Sequence, residues 1–186
     1  MTRPKTISDE NVLAAALEVL AESGDSFTLS DLAKRVGLSR ATLIQRFGNR
    51  EAILLRIATH EAEATQAWLE SLPLDSSGNE LWPFLEEIVG SMGRGDGFSA
   101  RVTLAALEAR DPALRALAHR RYTLVQSAIA ARLPPGAERD RTAEHLHAII
   151  AGATMQWVAS DSDTGLSDHV LERLRWALNH LKSGLI

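Results

Sequence analysis

The side chains best suited to binding another molecule are concentrated between residues 28 and 50. This segment reads TLSDLAKRVGLSRATLIQRFGNR, and most of its polar side chains are hydrogen-bond donors. From Phe27 to Arg50 there are five Lys or Arg residues and a single acid, Asp31, so the segment carries +4 in a chain whose net charge is −4. A small basic region on an acidic protein is typical of a local contact with a polyanion. Arginine binds guanine and glutamine binds adenine in the major groove, so this chemistry fits DNA.

Other kinds of chemistry have little support in the sequence. The absence of cysteine excludes disulfides, thiol nucleophiles and cysteine-ligated metals. His145 and His147 are two residues apart on a predicted helix, so they point to different faces and predict no metal site. The chain has no G-x-S-x-G, H-E-x-x-H or paired-carboxylate motif, and GRGDG (93–97) lacks the Lys-Ser/Thr ending of a phosphate loop. We therefore expect that the protein is not an enzyme and that it binds no metal and no cofactor.

The whole chain shows helical periodicity, and no stretch alternates with the period of a strand. Apolar residues make up 45% of the 186 residues, which is enough for a folded core. We expect an all-α fold of about nine helices, with approximate bounds of 8–23, 28–36, 39–47, 50–72, 80–92, 99–109, 111–133, 139–160 and 167–183. The predicted boundary between two domains lies after residue 50, giving domains 1–50 and 51–186.

The second and third predicted helices have the layout of a helix-turn-helix over residues 28–47. Thr28 and Asp31 have capping-box spacing, Gly37 can take the positive φ of a helix end, and Ser39 caps the next helix. The inward face is apolar, through Leu32, Val36, Leu43 and Phe47. The outward face offers hydrogen-bond donors through Arg40, Thr42, Gln45 and Arg46. In such a motif the second helix lies in the major groove, whereas an exposed basic helix with no ligand is the simpler alternative.

The segment LSDLAKRVGLSRATLIQRFGNREAIL (29–54) closely resembles the signature of the tetracycline-repressor (TetR) family. The resemblance covers about residues 8–56, and the remaining residues resemble the family only in their helical layout. It implies an N-terminal three-helix DNA-binding domain, followed by a helical domain that binds a small effector and forms a homodimer. It also implies a repressor that an effector releases from a palindromic double-stranded DNA operator.

Carried over position by position, the resemblance implies two sets of DNA contacts. Phosphate contacts fall on Thr28, Ser39, Thr42 and Arg50. Base-reading or groove-facing positions fall on Arg40, Ala41, Gln45 and Arg46. Ile44 departs from the family pattern, which usually has a tyrosine there. Packing against a sugar, packing against a thymine methyl, and closing the helix interface all remain open as roles for Ile44.

For the C-terminal domain, large side chains on central helices are candidates for an effector pocket, and ordinary core packing is the alternative for each. They are Trp68, Trp82, Phe84, Met92, Phe98, Tyr122 and Trp157. The predicted dimer face lies on the last two helices, where small residues allow close approach, and ordinary packing within the chain is again the alternative. Its residues are Ala148, Ala151, Gly152, Ala153 and Gln156, and Trp157 also fits this face.

Two rival functions remain at this stage, a constitutive DNA-binding regulator without an effector and, with less support, a helical enzyme. The first residues, MTRPKTISDENV, contain no apolar segment, and the run AIIAGATM (148–155) is too short to span a bilayer. We therefore expect a cytoplasmic protein with no membrane partner.

Overall fold

The computed structural model describes residues 7–74, 80–93, 98–160 and 163–182. Within these ranges the secondary structure is helical throughout, with no strand. The helices are α1 (Asp9–Ser23), α2 (Leu29–Val36), α3 (Arg40–Phe47), α4 (Arg50–Ser71), α5 (Leu81–Gly90), α6 (Phe98–Glu108), α7 (Pro112–Ala130), α8 (Arg139–Val158) and α9 (Leu166–Lys182), with a short 3₁₀ turn at Gly24–Ser26. The expected all-α fold is confirmed.

The helix starts follow from side chains that accept the otherwise unpaired N–H groups of a first turn. Ser8 Oγ accepts from Asn11 N at 3.2 Å, and Asn49 Oδ1 accepts from Ala52 N at 2.8 Å. Asp111 Oδ1 accepts from the second and third residues of α7, at 2.7 and 3.1 Å. These caps explain why α1, α4 and α7 begin within one residue of the predicted positions.

The chain divides into two compact units, the first formed by residues 1–64 and 97–121. Its core joins side chains of α1, α2 and α3 to the first half of α4, and among the fully buried ones are Val12, Leu20, Leu32, Leu43 and Ile53. Leu104 of α6 and Leu114 of α7 lie in the same core. The core that contains the helix-turn-helix side chains thus includes residues of later helices as well as of α1.

The second unit is formed by residues 65–96 and 122–186. Its core is built from α5, the end of α7, α8 and α9, with Leu85, Ile129, Leu146, Val170 and Leu174 fully buried. Because α4 and α7 each contribute to both units, packing does not divide the chain at residue 50. The division into domains 1–50 and 51–186 stays a prediction about function. None of the described helices is both long and apolar enough to cross a membrane.

Candidate functional site

The outer surface of α3 is the centre of the candidate DNA-binding site. Leu43 and Phe47 are buried and fix this helix to the core of the first unit. Arg40, Ala41, Ile44 and Gln45 are exposed, and Ile44 keeps 46% of its surface accessible. At 100° per residue these four side chains span an arc of about 140° around the helix axis. The structure therefore brings the predicted base-reading positions together on one face, with the exception of Arg46.

Ser39 and Thr42 form a hydroxyl pair at the start of α3. Ser39 Oγ accepts the Thr42 N–H at 3.0 Å, and the two hydroxyl oxygens lie 2.8 Å apart. Because each hydroxyl has one proton, one proton bridges the two oxygens and the other can be donated outward. The N-terminal N–H groups of α3 also lack partners within the helix, so this end can bind a phosphate.

Thr28 has its hydroxyl engaged in the capping box of α2. The hydroxyl donates to Asp31 Oδ2 at 2.6 Å and accepts from Asp31 N at 3.3 Å, while the Thr28 N–H donates to the same carboxylate at 3.0 Å. The hydroxyl bond and then the backbone bond hold the pKa of Asp31 below its ordinary value. A phosphate contact through the Thr28 hydroxyl must therefore compete with Asp31 for a single proton.

Arg46 is held against α1 by Asp9. Its Nε donates to Asp9 Oδ1 at 3.1 Å, and its Nη2 makes a further short contact with the same oxygen. Arg56 shares this carboxylate, with Nη1 at 3.2 Å from Oδ2, and both guanidinium groups lie over the Phe47 ring. The hydrogen bond from Arg46 is the main reason why the pKa of Asp9 lies below its ordinary value. Arg46 is thus half-buried and ion-paired, so the donors that hold Asp9 can contact DNA only by leaving that carboxylate.

Arg50 joins the start of α4 to the turn before α2. Its Nε donates to the Phe27 carbonyl at 2.9 Å, and its Nη2 donates to the carbonyl and the carboxylate of Asp25 at 2.8 and 2.9 Å. The guanidinium also lies 5.0 Å from the centre of the Phe27 ring. These bonds give Arg50 a structural role, and its predicted phosphate contact stays a prediction.

The positive charge of the segment is therefore less available than its sequence indicates. Arg35 pairs with Glu18 at 3.0 Å and also with Glu22, and these bonds raise its pKa above the ordinary value. Among the described residues, Lys34 and Arg40 are the cations of this segment with no carboxylate oxygen within 4.0 Å. Arg40 is the one on α3, so it is the guanidinium best placed for bases.

Sequence reasoning missed the acidic partners of these arginines. Glu18 and Glu22 are four residues apart, so they share a face of α1, and this spacing was a usable signal. Asp9 lies 37 residues before Arg46, and no local spacing connects them. Their pairing follows only from the packing of α3 on α1.

The predicted effector residues have mixed environments in the second unit. Phe84 is buried in the core beneath Arg132, whose guanidinium lies 3.7 Å from the ring centre. Trp68, Trp82, Met92 and Trp157 are half-buried against the same core. Two of these have polar contacts, because Trp82 Nε1 donates to Glu86 at 2.6 Å and Trp157 Nε1 donates to the Thr164 carbonyl at 2.7 Å.

Two further effector candidates differ from this group. Tyr122 is exposed and meets the His147 ring edge-on at 5.4 Å. The side chain of Phe98 lies outside the described residues. The structure thus gives Phe84 the role of a core residue and leaves an effector contact by the others as a prediction.

The predicted dimer residues form one exposed stripe along α8. Ala148, Ala151, Gly152 and Gln156 are all exposed, whereas Ala153 is buried within its own unit. Met155, on the same stripe, is 50% exposed. Trp176 of α9 is 62% exposed and stacks on His180 with ring centres 4.0 Å apart. This exposed tryptophan was not among the predicted contacts.

Three solved structures share this arrangement of helices over most of the chain. A transcriptional regulator from Pseudomonas aeruginosa PAO1 is 12% identical, with a TM-score of 0.80 over 98% of this chain and 96% of its own. One from Rhodococcus sp. Rha1 is 18% identical, with a TM-score of 0.78 over 93% and 97%. One from Saccharomonospora viridis, in complex with choline, is 21% identical, with a TM-score of 0.73 over 92% and 95%. At these identities the likeness shows the fold.

Family models account for both parts of the chain, although no curated protein sequence matches it. Residues 12–57 match the model for bacterial regulatory proteins of the tetR family. Residues 76–181, more than half of the chain, match the model for the tetracyclin repressor-like C-terminal domain. The chain therefore belongs to the TetR family of bacterial transcriptional regulators.

Proposed function

We propose that this protein is a sequence-specific transcriptional repressor that a small-molecule effector releases from a palindromic operator. Residues 1–50 contact the double-stranded DNA, and residues 51–186 bind the effector and form the homodimer. The observation that carries the proposal is the exposed arc on α3, where Arg40, Ala41, Ile44 and Gln45 project from a helix anchored by buried residues. A regulator of this kind acts in the cytoplasm, where the DNA is.

The arc has the properties that a base-reading surface needs. A rigid helix with its N-terminal half exposed can enter a major groove about 12 Å wide. Arg40 can donate two bonds to guanine, and Gln45 can pair with adenine. The Ser39–Thr42 hydroxyl pair supplies an outward donor for the adjoining phosphate. Direct contact of these side chains with DNA is the step that experiment must test.

The homodimer proposal is supported by the exposed surface of α8 and α9. Small residues at Ala148, Ala151 and Gly152 allow a second helix to approach closely, and Gln156 lies on the same stripe. Trp176 is a large exposed side chain of the type that anchors interfaces. In a twofold dimer the same surface of each copy meets. The small residues of one α8 would then face those of the other, which allows the two helices to approach closely. A twofold dimer also matches a palindromic operator.

Effector release is supported by the complex of the structurally similar Saccharomonospora viridis regulator with choline. In this chain the proposed effector contacts are the half-buried or exposed large side chains Trp68, Trp82, Met92, Tyr122 and Trp157. An effector that binds better to a state unable to span two operator grooves shifts the population away from DNA. The release depends on that difference in affinity.

The first test is fluorescence anisotropy of the full-length protein on the DNA that flanks its own gene, with scrambled DNA as competitor. We expect tight binding that survives the competitor and weakens with salt. Arg40→Ala and Gln45→Ala should each cost roughly 1–3 kcal/mol on the cognate site and little on scrambled DNA. Equal losses of affinity on both DNAs would contradict base reading by these two residues. If the protein selects no sequence from a random DNA library, the proposed function as a sequence-specific repressor is contradicted.

Two rival functions predict different results in the same assay. A constitutive regulator binds its operator, but no compound in a broad panel releases the DNA or raises the melting temperature. A helical enzyme turns over a substrate and has no affinity for DNA. Because both chain segments match models of a regulator family, a transcriptional regulator is favoured over an enzyme.

A further inference from the structure

The exposed arc of α3 has an apolar centre. At 100° per residue, and measured from Arg40, Ile44 lies at about 40°, Ala41 at about 100° and Gln45 at about 140°. The two apolar side chains therefore occupy the middle of the arc, between Arg40 on one edge and Gln45 on the other. A helix face that only contacts solvent is usually polar at its centre.

Packing within the chain does not account for Ile44. Leu43 and Phe47, on the other side of α3, fill the core of the first unit, while Ile44 keeps 46% of its surface accessible. Its immediate neighbours on the arc, Arg40 and Ala41, are also exposed. Closing the helix interface, one of the three roles left open by the sequence, is therefore not the role of Ile44.

The major groove offers one apolar group for such a surface to contact, the 5-methyl group of thymine. We infer that Ile44 and Ala41 contact thymine methyl groups in the operator. This contact would make Ile44 a residue of the protein that determines which operator sequence is bound. The adjoining Gln45 is the residue suited to adenine, so the same part of the half-site contains A·T pairs. This inference rests on the proposed function, because it names the bases that the DNA-reading face selects.

The inference can be tested by removing single methyl groups from the DNA. The probe is the double-stranded sequence that the full-length protein selects from a random library, with each thymine replaced in turn by deoxyuridine. At one or two positions in each half-site we expect the affinity of the unmodified protein to fall about fourfold. This factor corresponds to about 0.8 kcal/mol for one buried methyl-sized group. Uracil pairs with adenine as thymine does, so base pairing is unchanged.

The protein variants show whether Ile44 is the residue responsible. With Ile44→Ala we expect the penalty for deoxyuridine at those positions to fall below about twofold. Leu55→Ala is the matched control, because Leu55 is a 40% exposed apolar residue on α4 and not on α3; it should keep the full penalty. Circular dichroism checks that both variants are folded.

The outcomes separate the inference from the function on which it rests. If specific DNA is selected but deoxyuridine has no effect, or has the same effect on Ile44→Ala as on the unmodified protein, the inference is overturned and the function stands. A selected site without thymine in the half-sites overturns it as well. If no sequence is selected at all, the proposed function itself fails.

Discussion

Arg46 has one partner within the chain, the Asp9 carboxylate, and we expect a phosphate of bound DNA to compete for it. In the structure the carboxylate holds it, through the 3.1 Å bond from Nε and the shorter contact from Nη2. Because the Asp9 side chain is about half exposed, the ion pair is worth only about 1 kcal/mol. We therefore expect a phosphate to displace Asp9 at little cost, and Asp9 to reduce the affinity for DNA by about that amount.

Asp9→Asn should raise the affinity for DNA by roughly two- to fivefold at low salt, because it frees Arg46. The slope of log K against log salt concentration should also steepen by about one, since one more phosphate is neutralised. Fluorescence anisotropy over a salt series measures both quantities.

Glu10→Gln is the control for Asp9→Asn. It removes the same charge one residue away, from an exposed side chain. Equal gains in affinity for the two variants would mean a general charge effect, and no gain for Asp9→Asn would contradict a phosphate contact by Arg46.

Arg50 should act on stability more than on DNA binding. Arg50→Ala is expected to lower the free energy of unfolding by roughly 1–3 kcal/mol, because two carbonyls and Asp25 Oδ1 lose the Arg50 donor. Arg50→Lys should lose much of the same stability, since an ammonium group cannot reproduce the planar fork. Urea denaturation measures this loss.

The DNA assay separates the two roles of Arg50. Lys34→Ala removes an exposed cation that has no carboxylate oxygen within 4.0 Å among the described residues, so it should reduce the salt slope by about one without loss of stability. If Arg50→Lys restores full stability, the structural role is wrong. If Arg50→Ala reduces the salt slope as Lys34→Ala does, then Arg50 contacts phosphate as well.

At the scale of single residues, the sequence predicted which side chains project from α3. It did not predict which of them form ion pairs with other parts of the chain. Arg40 and Gln45 are exposed as expected because helical periodicity places them opposite Leu43. The pairing of Arg46 with Asp9 and of Arg50 with Asp25 depends on how α1, α3 and α4 pack together. Periodicity within one helix carries no information about those partners.

The short helix α2 depends on its capping box more than a long helix would. Eight residues form few internal hydrogen bonds, so the ends contribute a large share of the stability. Thr28 and Asp31 close the first turn, and Gly37, with φ of 67°, ends the helix in the left-handed region that glycine adopts at little cost. The turn that sets the orientation of α3 therefore depends on these residues.

Stability should fall in acid partly because of Asp31. Its pKa is lower in the folded chain than in the unfolded one, so its charged form favours folding. This contribution is complete above the ordinary carboxylate range of about pH 4 and disappears as the pH falls through the lower, folded pKa. Asp9 contributes in the same direction.

Urea denaturation at several values between about pH 6 and pH 2 tests this contribution. Asp31→Asn should weaken the pH dependence, and Thr28→Ala should weaken it less, because the Thr28 backbone N–H still donates to the carboxylate. An unchanged pH dependence in Asp31→Asn would contradict the assignment.

The elements were well predicted because each helix has a local start or stop signal. The capping roles predicted for Thr28 and Ser39 are confirmed, and Ser8, Asn49 and Asp111 cap three further helices. The differences lie at C-terminal ends, since α5 ends at Gly90 and α7 at Ala130, two and three residues early. There the N–H groups of Met92 and Leu133 bond three residues back, at 3.1 and 3.0 Å, so the last turn tightens.

At the scale of the whole molecule, the two compact units follow contacts between distant segments. Leu104 and Leu114 enter the core that contains the helix-turn-helix, although they lie more than 50 residues after its last helix. Hydrophobic periodicity within one segment does not show which core its apolar side chains join. The sequence therefore predicted the helices and the DNA-reading segment better than it predicted how the helices group.

Dimerisation can be tested at Gly152 without disturbing the fold of one chain. A Cβ atom built on Gly152 meets no heavy atom within 4 Å, so a larger side chain there projects outward from α8. In a twofold dimer that places the α8 stripes against each other, Gly152→Arg introduces two arginines into a closely packed interface. We expect a monomer by light scattering at micromolar concentration, with the helical content unchanged and binding to a palindromic operator weakened at least tenfold.

Gly90→Arg is the matched control on α5, since its Cβ also meets no heavy atom within 4 Å, and it should remain dimeric. If Gly152→Arg is still a dimer, the interface lies elsewhere on the second unit; if the unmodified protein is a monomer, the homodimer proposal is wrong.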